Sequence, residues 1–394
     1  PAARRGRRRE PFRVCPRQAP GVALASLLAE VDEGADALWL SLDDTTDGQL
    51  AAPSLAHTVL VLDTADPQPV ARLARALGLA ASAPAASGPT APAASTPRFA
   101  LTLDPLARCA GGRLAPGALA DAIAALGPVA RDMAARLPGS SAVMVSTLPY
   151  HQAGADAVDE LALALSAGAA YLEALLAAGL APAVAASQIA LQVTAGRDTF
   201  VELSKVRALR VGWQKLLTAA GVGDASPPLV HAVCSPRTLG ARDPWVNMLR
   251  VTTQVFAAVL GGADLVTPLA FDHALGVPSG LGRRVARNTG LVLREESFLG
   301  QVADPVGGSY YFDTLTDALA RQAWSRFQAL EREGGIADAL TSGRLAARLE
   351  ADWQRRLGQI ATRRVPVLGV SEFANLGETR PTPARDPATD AVAG

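Results

Sequence analysis

The feature that most constrains the fold is a repeat in which short apolar runs alternate with segments of helical periodicity. Continuous apolar runs are typical of parallel strands, because both faces of a parallel sheet are covered. Eight successive βα units predict a (β/α)8 TIM barrel in preference to an open sheet. The predicted strands are Phe12–Arg17, Ala37–Leu42, Thr58–Asp63, Phe99–Leu103, Ala142–Thr147, Gln188–Val193, Leu229–Cys234 and Asp264–Leu269.

Helical patterns lie between these runs and continue after the last of them. Pro and Gly in "DPVGGSYY", at 304–311, predict a turn between two helices beyond the eighth strand. We therefore expect a C-terminal helical extension packed on the barrel. The clearest predicted helices are 156–176, 199–219, 282–294 and 313–334.

Three segments have compositions that do not support a packed element. Residues 81–97 are rich in Pro, Ala and Ser and predict a flexible insertion within the barrel. Residues 1–11 are basic, and residues 379–394 resemble a linker, so both are predicted to be disordered. One domain over residues 12–378 is the resulting expectation.

Charge and cysteine content limit the class of protein. The chain has 37 basic and 37 acidic residues, and a balanced charge argues against a nucleic-acid-binding surface. No uncharged apolar run approaches the roughly 20 residues of a membrane span, so no membrane association is expected. Three scattered cysteines lack metal-binding spacing and predict a reduced protein with no metal site. These observations predict a cytoplasmic protein.

Three of the four histidines fall in or just after predicted strands, where barrel enzymes hold their catalytic groups. His151, beside Tyr150, follows the fifth strand and is a candidate acid, base or hydrogen-bond donor, or else a structural residue of its loop. His231 lies within the seventh strand, where a hydrogen-bonded core histidine is the alternative. His273 follows the eighth strand in a Gly/Pro loop, where simple exposure would explain it. His57 lies at the start of the third strand, at the end of the barrel where residues contribute to stability rather than catalysis.

Other polar motifs are less specific. Arg237, with Arg242 and Asp243, suits either an acidic ligand or an exposed ion pair worth less than about 1 kcal/mol. No HExxH, GxSxG, GxGxxG or paired catalytic carboxylates occur. Spacing and chemistry alone therefore indicate a barrel protein with a polar face at the carboxyl ends of its strands.

Five ungapped motifs, in order, resemble the methylmalonyl-CoA mutase family. The resemblance runs from about residue 12 to 335 and is most specific from 142 onward. It implies a (β/α)8 barrel that packs against adenosylcobalamin and threads acyl-CoA along its axis. The motifs are "YHQAGADAVDELALALSAGAAYL" from Tyr150, "HAVCSPRTLGARDPWVNMLR" from His231, "GGADLVTPLAFDHALGVP" from Gly261, "RRVARNTG" from Arg283 and "DPVGGSYY" from Asp304.

Departures from the catalytic pattern make the chain most similar to the small, or β, subunit of the heterodimeric bacterial enzymes. The Tyr150–His151 pair matches the catalytic pair, but the following loop is shorter and lacks a glutamate. Pro16 stands where the catalytic tyrosine is expected, and the arginine segment that grips the thioester has no counterpart. The flavodoxin-like cobalamin-binding domain, with its Asp-x-His-x-x-Gly motif, is also expected to be absent.

The resemblance therefore implies a non-catalytic chain that stabilises a catalytic large subunit, with acyl-CoA and adenosylcobalamin bound only by the complex. In this interpretation Tyr150 and His151 are vestiges of a catalytic site, and His231 and His273 are candidates for cofactor contact. The alternative is a competent acyl-CoA mutase barrel that works with a separate cobalamin-binding protein. An acyl-CoA-binding module without chemistry is a third hypothesis.

Overall fold

Eight parallel strands form a closed ring in the computed structural model, which describes residues 12–55, 57–64, 68–78, 98–223, 225–375 and 377–379. Strands one and five to eight make one sheet, and strands two to four make another. Parallel bridges between Arg17 and Trp39 and between Ala100 and Ser141 join the two sheets on both sides. The neighbour order is therefore 1 to 8 and back to 1, which is the strand order of a (β/α)8 barrel.

Each predicted strand overlaps an observed one within a few residues. The first pairs with the eighth over two residues only, with the N–H groups of Arg13 and Cys15 donating to the carbonyls of Asp264 and Val266. The carbonyl of Pro16 accepts from the N–H of Trp39, at 3.1 Å. The strands are β1 Arg13–Val14, β2 Ala37–Ser41, β3 Val59–Asp63, β4 Arg98–Leu101, β5 Val143–Ser146, β6 Ile189–Ala195, β7 Val230–Cys234 and β8 Leu265–Thr267.

Fifteen α-helices lie within the described ranges, and a π-helix at Val292–Glu296 continues the twelfth. The predicted turn at 304–311 ends two residues early, because helix α13 already begins at Tyr310. The helices are α1 Leu24–Asp32, α2 Asp47–Leu50, α3 Pro69–Ala76, α4 Pro105–Ala110, α5 Leu119–Ala124, α6 Leu126–Arg136, α7 Leu148–Ala153, α8 Ala157–Ala177, α9 Pro182–Ser187, α10 Thr199–Ala219, α11 Val246–Gly261, α12 Gly280–Leu291, α13 Tyr310–Arg332, α14 Gly335–Thr341 and α15 Arg344–Ala361.

The C-terminal helices cover one side of the barrel. Helix α13 packs on both α8 and α10, and α15 packs against α7 at the carboxyl end of β5. Helix α8 has the length and hydropathy of a membrane span, but 67% of its apolar window is buried inside the protein. Such burial is that of a core helix. The predicted insertion 81–97, the segment 1–11 and nearly all of 379–394 lie outside the described residues.

Side chains alternate between the inside and the outside of the ring, as the pleat of each strand requires. On β2, for example, Leu38 and Leu40 pack outward against the helices, whereas Trp39 packs inward. Every strand, or the residue directly after it, contributes to the inner cluster. Bulky side chains therefore fill the barrel axis at this level. The inner cluster comprises Cys15, Ala37, Trp39, Val59, Val61, Ala100, Met144, Ala190, Val233 and Leu265.

Candidate functional site

His151 lies where the sequence placed it, at the carboxyl end of β5, but its ring is buried. Helix α7 begins directly after β5, with Pro149 in its first turn, and carries the imidazole into the wall of the barrel. Nδ1 of His151 is 2.9 Å from Oε1 of Glu160, and Nε2 is 2.7 Å from Oγ of Ser235. Both ring nitrogens are thus engaged by protein groups.

Glu160, on α8, is the centre of this buried cluster. Its carboxylate accepts hydrogen bonds from the hydroxyl of Thr147 at 2.6 Å and that of Thr194 at 2.7 Å. It also faces Nζ of Lys205, on α10, at 3.0 Å, and that ammonium reaches Oε2 of Glu202 at 2.5 Å. The cluster of Glu160, Lys205, Glu202, His151, Thr147, Thr194 and Ser235 is hereafter called the Glu160 network.

Electrostatics fix the protonation states in the network. Burial alone would raise the pKa of Glu160, but Lys205 and His151 hold it well below its ordinary value of 4.5. Burial alone would lower the pKa of Lys205, but Glu160 and Glu202 raise it above 10.5. Burial lowers the pKa of His151 below 6.5 despite the opposing effect of Glu160. At neutral pH the network therefore holds an ionised Glu160, a charged Lys205 and a neutral His151.

Ser235, His151 and Glu160 stand at the distances of a Ser–His–carboxylate triad. A nucleophilic serine must meet its substrate, however, and Ser235 is completely buried. Its backbone N–H also donates to Oε1 of Gln254 at 2.9 Å. Ser235 and His151 are therefore not accessible to a substrate in this structure.

Tyr150 and His151 are adjacent in sequence but lie in different surroundings. Burial, with Asp104 nearby, raises the pKa of Tyr150 well above 10. Its hydroxyl makes no hydrogen bond to any described residue. Asp104 itself accepts from the backbone N–H groups of Ala107 and Ser146 and from the hydroxyl of Tyr171. The phenol of Tyr150 is thus a packed core group rather than one poised beside the imidazole.

His231 faces the barrel interior within a chain of hydrogen bonds. Nε2 of Gln192 donates to Nδ1 of His231 at 3.0 Å, and Nε2 of His231 donates to the hydroxyl of Thr267 at 2.7 Å. Thr267 donates onward to the carbonyl of Cys15 at 2.6 Å. Burial and the nearby Arg17 lower the pKa of His231 to about 3. This series of hydrogen bonds holds His231 as a neutral imidazole with both ring nitrogens engaged.

His273 is half-buried in a single 3-10 turn, His273–Leu275, beyond β8. Burial, and then the charge of Arg17, lower its pKa below 6.5. Arg17 also stacks on Trp39, with its guanidinium carbon 4.3 Å from the ring centroid. The structure thus places His231 and His273 near one arginine but apart from the Glu160 network.

Arg237, a candidate for an acidic ligand, is occupied by the protein itself. Its guanidinium donates to the carbonyls of His151 and Ala155 and lies 5.8 Å from the ring centroid of Trp353, on α15. Burial lowers its pKa to about 10. Arg237 therefore joins the loop after β7 to α7 and the C-terminal extension.

Comparison with known proteins gives the family. The family model described as methylmalonyl-CoA mutase matches residues 102–392, well over half of the chain. The chain belongs to the methylmalonyl-CoA mutase family. The methylmalonyl-CoA mutase small subunit of Streptomyces virginiae is 44% identical over 75% of this chain and 47% of the relative. The small subunit of Propionibacterium freudenreichii subsp. shermanii is 40% identical over 72% of this chain and 45% of the relative.

The chain thus spans less than half the length of these mutase small subunits. Among solved structures, the Yersinia pestis dihydropteroate synthase covers 71% of this chain and 93% of its own, with 14% identity and a TM-score of 0.34. That likeness is too weak to support a conclusion. Among the described residues, no group of three or more His, Cys, Asp or Glu could hold a metal ion.

Glu160, Lys205 and Ser235 were missed by the sequence reasoning. Glu160 and Lys205 lie 45 positions apart in separate helices and meet only because α8 and α10 are neighbours in the barrel. One signal in the sequence was available: Lys205 follows Glu202 by three residues, a spacing that places the two side chains on one helix face. That spacing indicates an ion pair but not the third partner, Glu160.

Proposed function

We propose that this chain is the small-subunit barrel of a heterodimeric methylmalonyl-CoA mutase and that it stabilises the catalytic large subunit without performing chemistry. Mutases of this family interconvert methylmalonyl-CoA and succinyl-CoA, a reaction assigned here to the complex. The observation that carries the proposal is the burial of His151 and Ser235 inside the Glu160 network, where a substrate cannot reach the imidazole. The small-subunit names of the relatives support it.

The residues predicted to meet adenosylcobalamin do not fit that role. His231 is fully buried, with both ring nitrogens bound to Gln192 and Thr267. A corrin or adenosyl group could contact His231 only if its hydrogen bonds to Gln192 and Thr267 were broken. His273 alone among the candidates is partly exposed, and one histidine cannot position a cofactor for radical chemistry. The cofactor is therefore assigned to the large subunit.

The filled barrel axis gives independent support. Acyl-CoA threading would require an open axis, but Trp39 and Met144 are buried there against small residues from the other strands. Trp39 also contacts His231 edge to face, with ring centroids 5.4 Å apart. Acyl-CoA is therefore proposed to bind in the large subunit. The three free cysteines agree with a reducing, cytoplasmic compartment.

The test is light scattering on a size-exclusion column, followed by a turnover assay with methylmalonyl-CoA and adenosylcobalamin. We expect a one-to-one complex with the methylmalonyl-CoA mutase large subunit of the same organism, and turnover only in its presence. A complex containing the His231→Gln variant should keep the wild-type kcat. Turnover by this chain with a separate cobalamin-binding protein, abolished in a folded His151→Ala variant, would instead establish the enzyme alternative.

A further inference from the structure

Arg356, on α15, is a half-buried cation without a partner among the described residues. It lies one helical turn after Trp353, whose ring centroid is 5.8 Å from the guanidinium carbon of Arg237. Burial, and then the charge of Arg197, lower the pKa of Arg356 below its ordinary value of 12.5. A guanidinium that is partly removed from water without a hydrogen-bond partner costs free energy. An anion bound beside Arg356 would therefore stabilise the protein.

Arg197, which follows β6, reaches the same place from the barrel. Its Nη1 donates to the carbonyl of Pro366 at 3.0 Å. The chain arrives at Pro366 by folding back on the end of α15, where the N–H of Val365 donates to the carbonyl of Gln359 at 3.1 Å. Arg197 is exposed and thus lies beside the last turns of α15, which carry Arg356.

Arg237 adds a third positive charge from the loop after β7. Its Nη1 is engaged by the carbonyls of His151 and Ala155, so Arg237 contributes its charge rather than a free Nη1. Its Nε is buried and forms no hydrogen bond with any described residue. Burial, and then the charge of Arg356, lower the pKa of Arg237 to about 10. We call Arg197, Arg237 and Arg356 the Arg356 cluster.

The carboxylates in this part of the protein do not neutralise the Arg356 cluster. No described carboxylate forms an ion pair with any of its three guanidiniums. Three acidic residues lie instead around Leu368, whose carbonyl accepts from Arg250 at 2.8 Å: Asp243, Glu372 and Glu378. Nearer carboxylates have partners of their own: Glu160 and Glu202 pair with Lys205, Asp156 with Arg326 and Asp352 with Arg355, whereas Asp198 caps the start of α10.

The chemistry of the cluster selects a phosphate group. A guanidinium presents a planar pair of N–H donors that matches the oxygens of a phosphate or a carboxylate. A phosphate monoester carries a charge of about −1.5 to −2 at pH 7, whereas a carboxylate carries a single charge. Three adjacent arginines repel one another, and a doubly charged anion offsets that repulsion more completely than a singly charged one.

We propose that the Arg356 cluster binds phosphate, either as the free ion or as the monoester group of a small metabolite. Arg356 and Arg197 would donate to the phosphate oxygens, and Arg237 would add its charge. Bound phosphate would join α15 to the loops after β6 and β7 and so hold the C-terminal segment on the barrel. This site does not depend on the proposed function, because it requires no second subunit.

The test is calorimetric titration of the full chain with inorganic phosphate at constant ionic strength. We expect a Kd of about 1 mM or lower. Arg356→Gln should raise Kd by about 10-fold or more, because it removes a donor pair and a charge. Arg355→Gln is the matched control: it removes one charge from the neighbouring position of α15, where the side chain is 68% exposed and pairs with Asp352. It should change Kd by less than about 2-fold.

Thermal unfolding gives a readout that separates phosphate binding from a structural role of the side chain. A ligand that binds only the folded state raises the Tm. Phosphate should therefore raise the Tm of the wild type and of Arg355→Gln, but not that of Arg356→Gln. In phosphate-free buffer, Arg356→Gln should unfold at or above the wild-type Tm, because it loses no hydrogen bond and removes a like-charge interaction.

Each outcome decides one point. Equal weakening of phosphate binding by the two glutamine variants would show non-specific ion binding and overturn the site. A wild-type Tm that responds to phosphate no more than to sodium chloride of the same ionic strength would also overturn it, as would a lower Tm of phosphate-free Arg356→Gln. Titration with glycerol 3-phosphate distinguishes the two sources: binding as tight as that of inorganic phosphate indicates a monoester ligand, and rejection indicates the free ion.

Discussion

Replacement of Lys205 by methionine tests whether the Glu160 network stabilises the barrel. Lys205 is completely buried and lies 3.0 Å from Glu160 and 2.5 Å from Glu202. Methionine has a similar length and no charge, so packing is nearly conserved and the electrostatic change dominates. Removing one partner of a buried ion pair costs about 3–5 kcal/mol, because the remaining charge is uncompensated. We expect Lys205→Met to lower the free energy of unfolding by that amount at pH 7.

The assay is urea denaturation followed by circular dichroism, with Lys215→Met as the control. Lys215 is the other lysine of the chain, and its exposed ammonium lies 4.3 Å from the ring centroid of Trp324. Loss of an exposed cation–π contact should cost less than about 1 kcal/mol. The double variant Lys205→Met/Glu160→Gln should recover part of the loss, because it removes the stranded charge. Equal costs for the two lysine variants would refute the reasoning.

The pH dependence provides a second check with a defined sign. The folded-state pKa of Glu160 lies well below 4.5, so the stability that its ionised form contributes is complete above pH 4.5. That stability is lost as the pH falls through the folded-state pKa. In Lys205→Met, burial raises the pKa of Glu160, so the carboxylate becomes protonated as the pH falls. Protonation removes the cost of the uncompensated buried charge. The difference in the free energy of unfolding between wild type and Lys205→Met should therefore become smaller from pH 7 to pH 4.5.

Three other substitutions test the barrel interior and its helices by urea denaturation. The pKa of His231 is about 3 in the folded protein, so its contribution to the free energy of unfolding is complete above pH 6.5 and is lost as the pH falls below that value. His231→Gln should therefore make the free energy of unfolding decline less steeply between pH 6.5 and pH 4. An unchanged slope would contradict this prediction. Trp39→Ala should cost about 3–5 kcal/mol by opening a cavity on the axis, and a cost below 1 kcal/mol would show that the axis is not packed. Gly261→Ala should lower the free energy of unfolding by about 1–3 kcal/mol, because a Cβ there would lie 2.6 Å from the Leu203 carbonyl oxygen. Gly117→Ala is the control: a Cβ at Gly117 would meet nothing within 4 Å, so stability should hardly change.

Strand and helix positions were predictable because hydrophobic periodicity reports local geometry. Helix α10 has the predicted bounds, 199–219, since Asp198 caps its start by accepting from the N–H of Val201 at 3.3 Å. The early start of α13 at Tyr310 was not predictable, because Tyr310 and Tyr311 are largely exposed and therefore lack a periodic signal. The number of βα units predicted a barrel rather than an open sheet, because eight such units are the number that closes a (β/α)8 ring.

The candidate site was predicted in position but not in chemistry. His151 follows β5 and His231 lies within β7, as expected, yet which way each ring faces depends on partners from other strands. Ser235 lies 84 residues from His151, and Thr267 lies 36 residues from His231. No local pattern reports such pairings. Burial, which separates an engaged imidazole from a reactive one, therefore became known only from the structure.

The two buried histidines have a common structural role: each links polar groups from different elements of the barrel. A neutral imidazole donates through one nitrogen and accepts through the other, so it can join two polar groups that lie on different elements. His231 does this between Gln192 of β6 and Thr267 of β8, and His151 does it between Glu160 and Ser235. Removing either ring would leave buried polar groups unsatisfied, at about 1–3 kcal/mol for each group. Each histidine therefore contributes to the stability of the barrel through its hydrogen bonds.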